Sequence, residues 1–240
     1  MSKKGTLHLI PVGLSAVSSA LWLPASVQQL AANLTVYIAE NAKTARAFLK
    51  HINTAHPLQD IRIHTLSKRG TDKEQLHTWL EAALQGQDIG LVSEAGCPAV
   101  ADPGAAVVAL AHQLGISVKP HVGPSSILLS LMASGLDGQQ FVFHGYAPVD
   151  NQARIKQLKS WEQQSNQLQQ TQILIETPYR NPGIYAALSQ SLRPDTRLCI
   201  ARDLTGEQEW INTQTIREWR RNPPPELDKV PCIFLFLAKY

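Results

Sequence analysis

A chain of 240 residues with 44% hydrophobic and 17% charged side chains has the balance of a globular protein, and it is long enough to bury one large core or two smaller ones. A formal net charge of +3 permits a polyanionic partner without requiring one, and no apolar run approaches the roughly 20 residues of a membrane span. Cys97, Cys199 and Cys232 are far apart and odd in number, with neither metal-ligand spacing nor a disulfide framework. The opening MSKKGTLHLIPVG lacks the apolar region and cleavage site of a secretory signal, so a cytoplasmic location and no membrane partner are expected.

Taken in order, apolar runs predict strands at Leu7–Ile10, Thr35–Ala39, Ile61–Leu66, Ile89–Ser93 and Ile116–Lys119. Thr71-x-x-Glu74 reads as a capping box. It opens a helix whose apolar stripe is Leu76, Trp79, Leu80, Ala83 and Leu84, ended by Gly86. A second helix is expected from Asp102-Pro103-Gly104 to Gly115. Near-continuous apolar strands separated by helices predict a parallel sheet covered on both faces.

The pattern restarts after about residue 120. Ser125 can cap a helix carrying Ile127, Leu128, Leu131 and Met132, and strands recur at Phe141–His144, Ile173–Glu176, Arg197–Ala201 and Ile233–Ala238. Asn181-Pro182 reads as an N-cap followed by proline at the first helical position. Gln163–Gln172 reads as a helix end and loop, and Pro223-Pro224-Pro225 as a stiff surface connection. Two α/β domains are therefore expected, 1–120 and 121–240.

Two loops stand out, within IGLVSEAGCPAVADPG at 89–104 and ISVKPHVGPSS at 116–126. Each follows a strand and opens a helix, where open α/β sheets bind small molecules. Neither a G-x-G-x-x-G nor a G-x-x-x-x-G-K-[ST] is present, which excludes the common dinucleotide and ATP signatures. Ala95 and Gly96 allow close backbone approach, and Pro98 and Pro124 stiffen the turns. Ser125, Ser126 and the free N–H groups of the next helix can hold a carboxylate or phosphate. Two tight turns without a ligand are the alternative. Cys97 reads as a small packing residue in its turn, and Cys199 and Cys232 as buried thiols. The basic groups Lys3 and Lys4, Lys43, Arg46 and Lys50, Lys68 and Arg69, Arg154, Lys156 and Lys159, and Arg217, Arg220 and Arg221 read as solvated faces, with nucleic-acid binding left open.

VSEAGCPAVADPG, GISVKPHVGPSS, the ASGL at 133–136 and FVFHGYAP at 141–148 resemble the tetrapyrrole methylase superfamily of S-adenosylmethionine (SAM) methyltransferases. More narrowly, they resemble its bacterial branch that methylates a 16S rRNA cytidine at the ribose 2′-oxygen. LIETPYR at 174–180 and ARDLT at 201–205 are similar to that branch's F-Y-E-S-P-H-R and A-R-E-L-T. The resemblance covers nearly the whole chain. It implies two α/β domains, an N-terminal parallel sheet and a C-terminal mixed sheet, with SAM in a cleft between them, commonly in a homodimer and without a metal.

Carried over by position, the resemblance implies SAM neighbours at Pro11, Glu94, Ala95, Gly96, Val100, Ser125, Ser126, Thr177, Leu204, Val230 and Pro231. Methyl transfer from a sulfonium is an in-line displacement, so placement matters more than a nucleophilic side chain. A ribose hydroxyl must also lose a proton, for which Glu40 and Glu176 are candidate bases, with Lys43 and Arg180 available to phosphate. Structural ion pairs are the alternative for these four.

The implied partner is rRNA or the small ribosomal subunit. The departures fall on the segments that meet it: V-P-T-P-I-G-N is here IPVGLSA, and A-E-D-T-R is here AENAK, with Lys43 in place of the arginine. A lysine does not reproduce an arginine's two-pronged hold on phosphate or carboxylate. A diverged paralogue acting on another acceptor, including a tetrapyrrole carbon, and an inactive SAM-binding module are the alternative readings.

Overall fold

Apolar residues on alternate positions of the first strands face two different helix layers, which fixes how the N-terminal half folds. The computed structural model describes residues 3–67 and 70–239, so the Lys68–Arg69 pair lies outside the described residues. The chain divides into two compact units, Met1–Ser125 and Ser126–Tyr240.

In the first unit, strands β1 (Thr6–Leu9), β2 (Val36–Ala39), β3 (Arg62–Thr65), β4 (Ile89–Val92) and β5 (Ser117–Pro120) form one sheet in the order β3-β2-β4-β1-β5. All of its pairings are parallel. Val36, Ile38, Leu7, Ile89 and Leu91 pack with α3 (Lys73–Leu84) and α4 (Gly104–Gln113). Tyr37, Ala39, Val92 and Ile10 pack with α1 (Ala25–Asn33) and α2 (Ala42–His51). Such side chains as Leu80 and Leu49 are fully covered, each contributing about 1.5–3 kcal/mol of apolar burial.

The connections leaving β1 and β2 run toward the β3 edge, whereas the one leaving β4 runs toward β5. Right-handed crossovers place them on opposite faces, as the two cores record. The loop after β4 therefore parts from its neighbours at the carboxyl edge of the sheet, where a crevice opens in such folds.

The second unit holds β6 (Phe141–Tyr146), β7 (Thr171–Ile175), β8 (Arg197–Arg202), β9 (Trp210–Thr215) and β10 (Cys232–Leu237), in the order β6-β7-β10-β8-β9. Only β6 and β7 run parallel; the other pairs are antiparallel, giving a mixed sheet. Its core joins Leu174, Leu198, Ile200, Phe234 and Phe236 to α6 (Asn151–Leu168), α7 (Asn181–Ser191) and α8 (Ile216–Trp219). Helix α5 (Ser126–Ser134) packs against β8, β9 and β10.

Several local expectations need correction. The cap of α3 is Asp72, whose carboxylate accepts from the Glu74 N–H, while Thr71 Oγ1 accepts from the Ser67 N–H, so Thr71-x-x-Glu74 is not a capping box. Asn181 is the first residue of α7, not its N-cap; the cap position is Arg180, without a side-chain hydrogen bond. Strand β6 continues past His144 to Tyr146 through a register shift, and β9 had no counterpart in the sequence reading. Among the described residues no helix is long and apolar enough to cross a membrane.

Candidate functional site

Because the first sheet is parallel, its strand exits share one edge, and the sequence-predicted residues of these exits gather there. Pro11 follows β1, Glu40 follows β2, Glu94 to Val100 follow β4, and Ser125 and Ser126 follow β5. Val12 and Gly96 form an antiparallel bridge, each N–H donating to the other's carbonyl oxygen at 2.9 Å. The Cys97 thiol lies 3.4 Å from the Pro124 carbonyl oxygen, joining the third exit. A Cβ on Gly123 would stand 2.3 Å from Pro11 Cβ, so only glycine permits this approach. The exits of β1, β4 and β5 are thus one tied assembly.

The carboxylates of this edge are engaged. Glu40 Oε2 accepts from the Glu94 N–H at 3.1 Å, and Asn41 donates to Glu94 Oε1 at 3.2 Å while capping α2 at Lys43 N. Asp102 accepts from Ala99 N–H and, at 2.7 Å, from Gly104 N–H. Burial pushes the Asp102 carboxyl above its usual range, with these backbone donors opposing the rise. Burial also raises the Cys97 thiol, which suits packing and disfavours a thiolate nucleophile. Cys199 and Cys232 are pushed up to about 11 and about 12 by burial, as structural thiols should be.

The second unit has its own gathering edge. Strand β10 runs against β7 and β8, so its start meets their ends: Ile233 lies opposite Ile175, and Cys232 opposite Arg202. Glu176 and Thr177, Leu204, and Val230 and Pro231 therefore fall together. Asp203 N–H donates to the Pro231 carbonyl at 3.0 Å. Glu176 has no exposed side-chain surface; its Oε1 accepts from Thr177 N–H at 2.8 Å. Arg180 Nη2 lies 2.9 Å from Glu176 Oε2, close enough for an ion pair but outside hydrogen-bond geometry, leaving Oε2 without a donor among the described residues.

The sequence reading missed Asn181 as a site residue. Its side chain is buried, Nδ2 donates to the Val230 carbonyl at 2.7 Å, and Oδ1 has no donor among the described residues. The Asn-Pro pair signalled a helix start, which hid this longer-range role.

Backbone strain marks the same places. Seven described residues other than glycine have positive φ: Asn53, Ala99, Ala101, Gln169, Asp203, Thr205 and Lys229. Five of them flank Val100, Leu204 or Val230, and Gly96 (φ 73°) joins them. Left-handed backbone costs an L-residue roughly 1–2 kcal/mol and persists where surrounding contacts enforce it, most often at ligand sites. Asp102 supplies such enforcement by bonding to Ala99. Among the described residues no group of three or more His, Cys, Asp or Glu could hold a metal ion.

Small-residue loops with left-handed backbone stand at the strand ends of both α/β units, the place where folds of this class bind small molecules. The family model for tetrapyrrole (corrin/porphyrin) methylases matches residues 7–219, and the chain belongs to that family. It is similar to "Ribosomal RNA small subunit methyltransferase I" of Synechocystis sp., 32% identical over 212 residues, covering 87% of this chain and 71% of that protein. The protein of the same name from Pasteurella multocida is 28% identical over 78% of this chain, which spans 64% of that relative's length. Among solved structures, the methyltransferase CobJ aligns with a TM-score of 0.62 at 16% identity, covering 98% of this chain and 94% of that one. The uroporphyrin-III-C-methyltransferase of Thermus thermophilus aligns at 0.54 and 13%, covering 97% and 92%. These two likenesses establish the fold.

Proposed function

We propose that the chain is a SAM-dependent methyltransferase acting on small-subunit ribosomal RNA at a ribose 2′-oxygen. The observation that carries the cofactor assignment is the clustering of left-handed residues around Val100, Leu204 and Val230. The family membership and the names of the relatives support the reaction and the acceptor. The residues fit such a ligand: Gly96 holds a left-handed φ of 73°, Gly123 leaves no room for a side chain beside Pro11, and among the described residues the buried Asn181 Oδ1 has no hydrogen-bond donor and Glu176 Oε2 has only its ion pair with Arg180.

In this reading the candidate cofactor residues of the first unit are Pro11, Glu94, Ala95, Gly96, Val100 and Ser125, and those of the second are Ser126, Thr177, Leu204, Val230 and Pro231. Bound SAM supplies an electrophilic methyl on a sulfonium. The chain's own contribution is placement of the acceptor in line with that methyl, the term that dominates displacements of this kind. Glu40 acts by anchoring the Glu94 backbone, and Glu176 by fixing Thr177 and Arg180. Arg180, with 31% of its side chain exposed, faces charge developing on the ribose oxygen or the adjoining phosphate.

A cytoplasmic site of action follows from the substrate. A homodimer is part of the same reading; it is supported by Leu128 and Met132, one turn apart on α5 and 54% and 81% exposed. Two measurements test the function: calorimetry with SAM and S-adenosylhomocysteine, and incubation of labelled SAM with 30S subunits lacking the modification. The expected result is binding of both compounds and label in ribose. No binding to either compound would overturn the cofactor assignment. Label passing to a tetrapyrrole instead of RNA would overturn the acceptor assignment alone.

A further inference from the structure

Two exposed tyrosines of the second unit stand on two linked segments, the exit of β6 and the turn after β7. Strand β6 uses three steps, from Phe143 to Tyr146, where β7 uses two, from Ile173 to Ile175. The extra residue is a bulge, and Gly145 within it has φ 70°. A bulge re-aims the side chain that follows it. Here that side chain is Tyr146, which is 58% exposed although it ends a paired strand. Opposite it, β7 leads into a tight turn at Pro178–Arg180, whose Tyr179 is 76% exposed.

The two segments are linked. Arg180 Nη2 donates to the Pro148 carbonyl oxygen at 3.4 Å, tying the β7 turn to the β6 exit. Arg154 closes the same loop from below, donating to Val149 O at 3.0 Å and Asn151 Oδ1 at 2.8 Å. Both tyrosines therefore sit on braced backbone, and Val149 of the β6 exit is exposed as well.

In the stretch from Tyr146 to Ser160 the exposed lysines, Lys156 and Lys159, outnumber the one exposed acid, Asp150. Lys156 and Lys159, three residues apart on the first turns of α6, are both exposed. Asp150 is occupied in capping Ala153 N–H, and Glu176 is covered and paired with Arg180. Further along the edge Asp228 faces Lys229 at 3.7 Å. Exposed aromatic rings beside exposed cations are what an unpaired nucleic-acid strand recognises, through base stacking and phosphate contact.

We infer that Tyr146 and Tyr179 form a stacking platform for unpaired bases of an RNA strand, with Lys156 and Lys159 receiving its phosphates. The platform rests on the rRNA reading above and adds to it a defined surface outside the cofactor residues.

The test uses the full chain and a short fluorescein-labelled single-stranded oligoribonucleotide of mixed sequence, followed by anisotropy. Tyr146→Ala and Tyr179→Ala should each weaken binding roughly tenfold, and the double variant roughly a hundredfold, while Tyr→Phe at both positions keeps affinity within about twofold. Lys156→Gln with Lys159→Gln should flatten the dependence of log affinity on log salt by about 0.7 for each phosphate the variant no longer neutralises. SAM binding, measured by calorimetry, should stay unchanged in all of them. A double alanine variant that binds RNA like the wild type overturns the platform and leaves the methyltransferase reading standing. Wild-type protein that neither binds RNA nor transfers methyl to 30S subunits overturns the rRNA reading, and the platform with it. Tyrosine-dependent binding to ribosomal protein, with none to the oligoribonucleotide, also overturns the platform.

Discussion

Asn181 Nδ2 donates to the Val230 carbonyl oxygen across 49 residues of chain, at 2.7 Å, from a side chain with no exposed surface. The bond clamps the segment before β10 to the first turn of α7, while Asp203 N–H holds Pro231 from the other side. Lys229, with φ 60°, is the left-handed residue that turns this segment into the clamp.

Asn181→Leu removes the donor and leaves the Val230 carbonyl without its partner. Losing a buried hydrogen bond of this kind costs about 1–3 kcal/mol. Denaturant unfolding should record that loss, and calorimetry should record SAM binding weakened by about tenfold, equivalent to about 1.4 kcal/mol. Asn181→Asp keeps the shape but not the donor, so it should weaken SAM in the same direction. Unchanged SAM affinity in both variants would show that the Val230 segment does not touch the cofactor.

Gly123 carries a different prediction, because its constraint is space. A methyl at this position would fall 2.3 Å from Pro11 Cβ and 2.6 Å from Pro11 Cγ. Gly123→Ala must push the β1 and β5 exits apart, at an overpacking cost of about 1–3 kcal/mol. Gly183 is the control: a Cβ there meets nothing within 4 Å, so Gly183→Ala should leave SAM binding intact. The two variants compared by calorimetry separate site distortion from a general effect of losing glycine.

The difference between these two glycines marks how far the sequence could be read. The parallel half was legible because Leu7, Ile38, Ile89 and Leu91 lie in short apolar runs closed by small-residue turns, a pattern set by local spacing. Strand β9 was not, because Trp210, Ile211, Asn212, Thr213, Gln214 and Thr215 are all half-buried at a sheet edge and carry no apolar run. Asn181 and Thr71 were misread for one reason. Each is of a residue type that often caps helices, and only the fold shows that Asn181 instead reaches Val230 and Thr71 reaches Ser67. The bulge before Tyr146 was invisible for a related reason, since register is a property of two strands and not of one.

The Glu176–Arg180 pair allows a structural role to be separated from a chemical one. Arg180→Ala strands a carboxylate that has no exposed surface, and breaking a buried pair from one side costs about 3–5 kcal/mol. Glu176→Gln with Arg180→Met removes both charges together and should lose less stability in urea than Arg180→Ala alone. If Arg180 also faces the RNA, the double variant should fold, bind SAM and still transfer methyl slowly. Wild-type transfer rates in that double variant would assign the pair to structure alone.

Four histidines give the fold a pH dependence with a defined sign. Burial lowers His8, His64, His121 and His144 below the ordinary histidine value. For His8 the nearby Asp88 opposes this and Lys119 adds to it; for His121, His8 and Lys119 both add to it. His8 Nδ1 and His121 Nε2 are 3.0 Å apart, so one ring must donate and the other accept, a pairing that double protonation destroys. His144 is stacked on Trp161 with ring centroids 4.0 Å apart and bonds to Gln172 at 2.7 Å. With folded values below unfolded ones, the unfolded chain takes up more protons as pH falls through about 6.5, and stability falls with it. Asp137 and Glu218, held low by hydrogen bonds, lose their contribution only at more acid pH. The thermal midpoint should therefore drop between about pH 7.5 and about pH 5.5, before the carboxylates titrate. Replacing His8 and His121 together by Gln should flatten that slope, and a midpoint that held steady in the wild type would mean these rings accept protons as freely folded as unfolded.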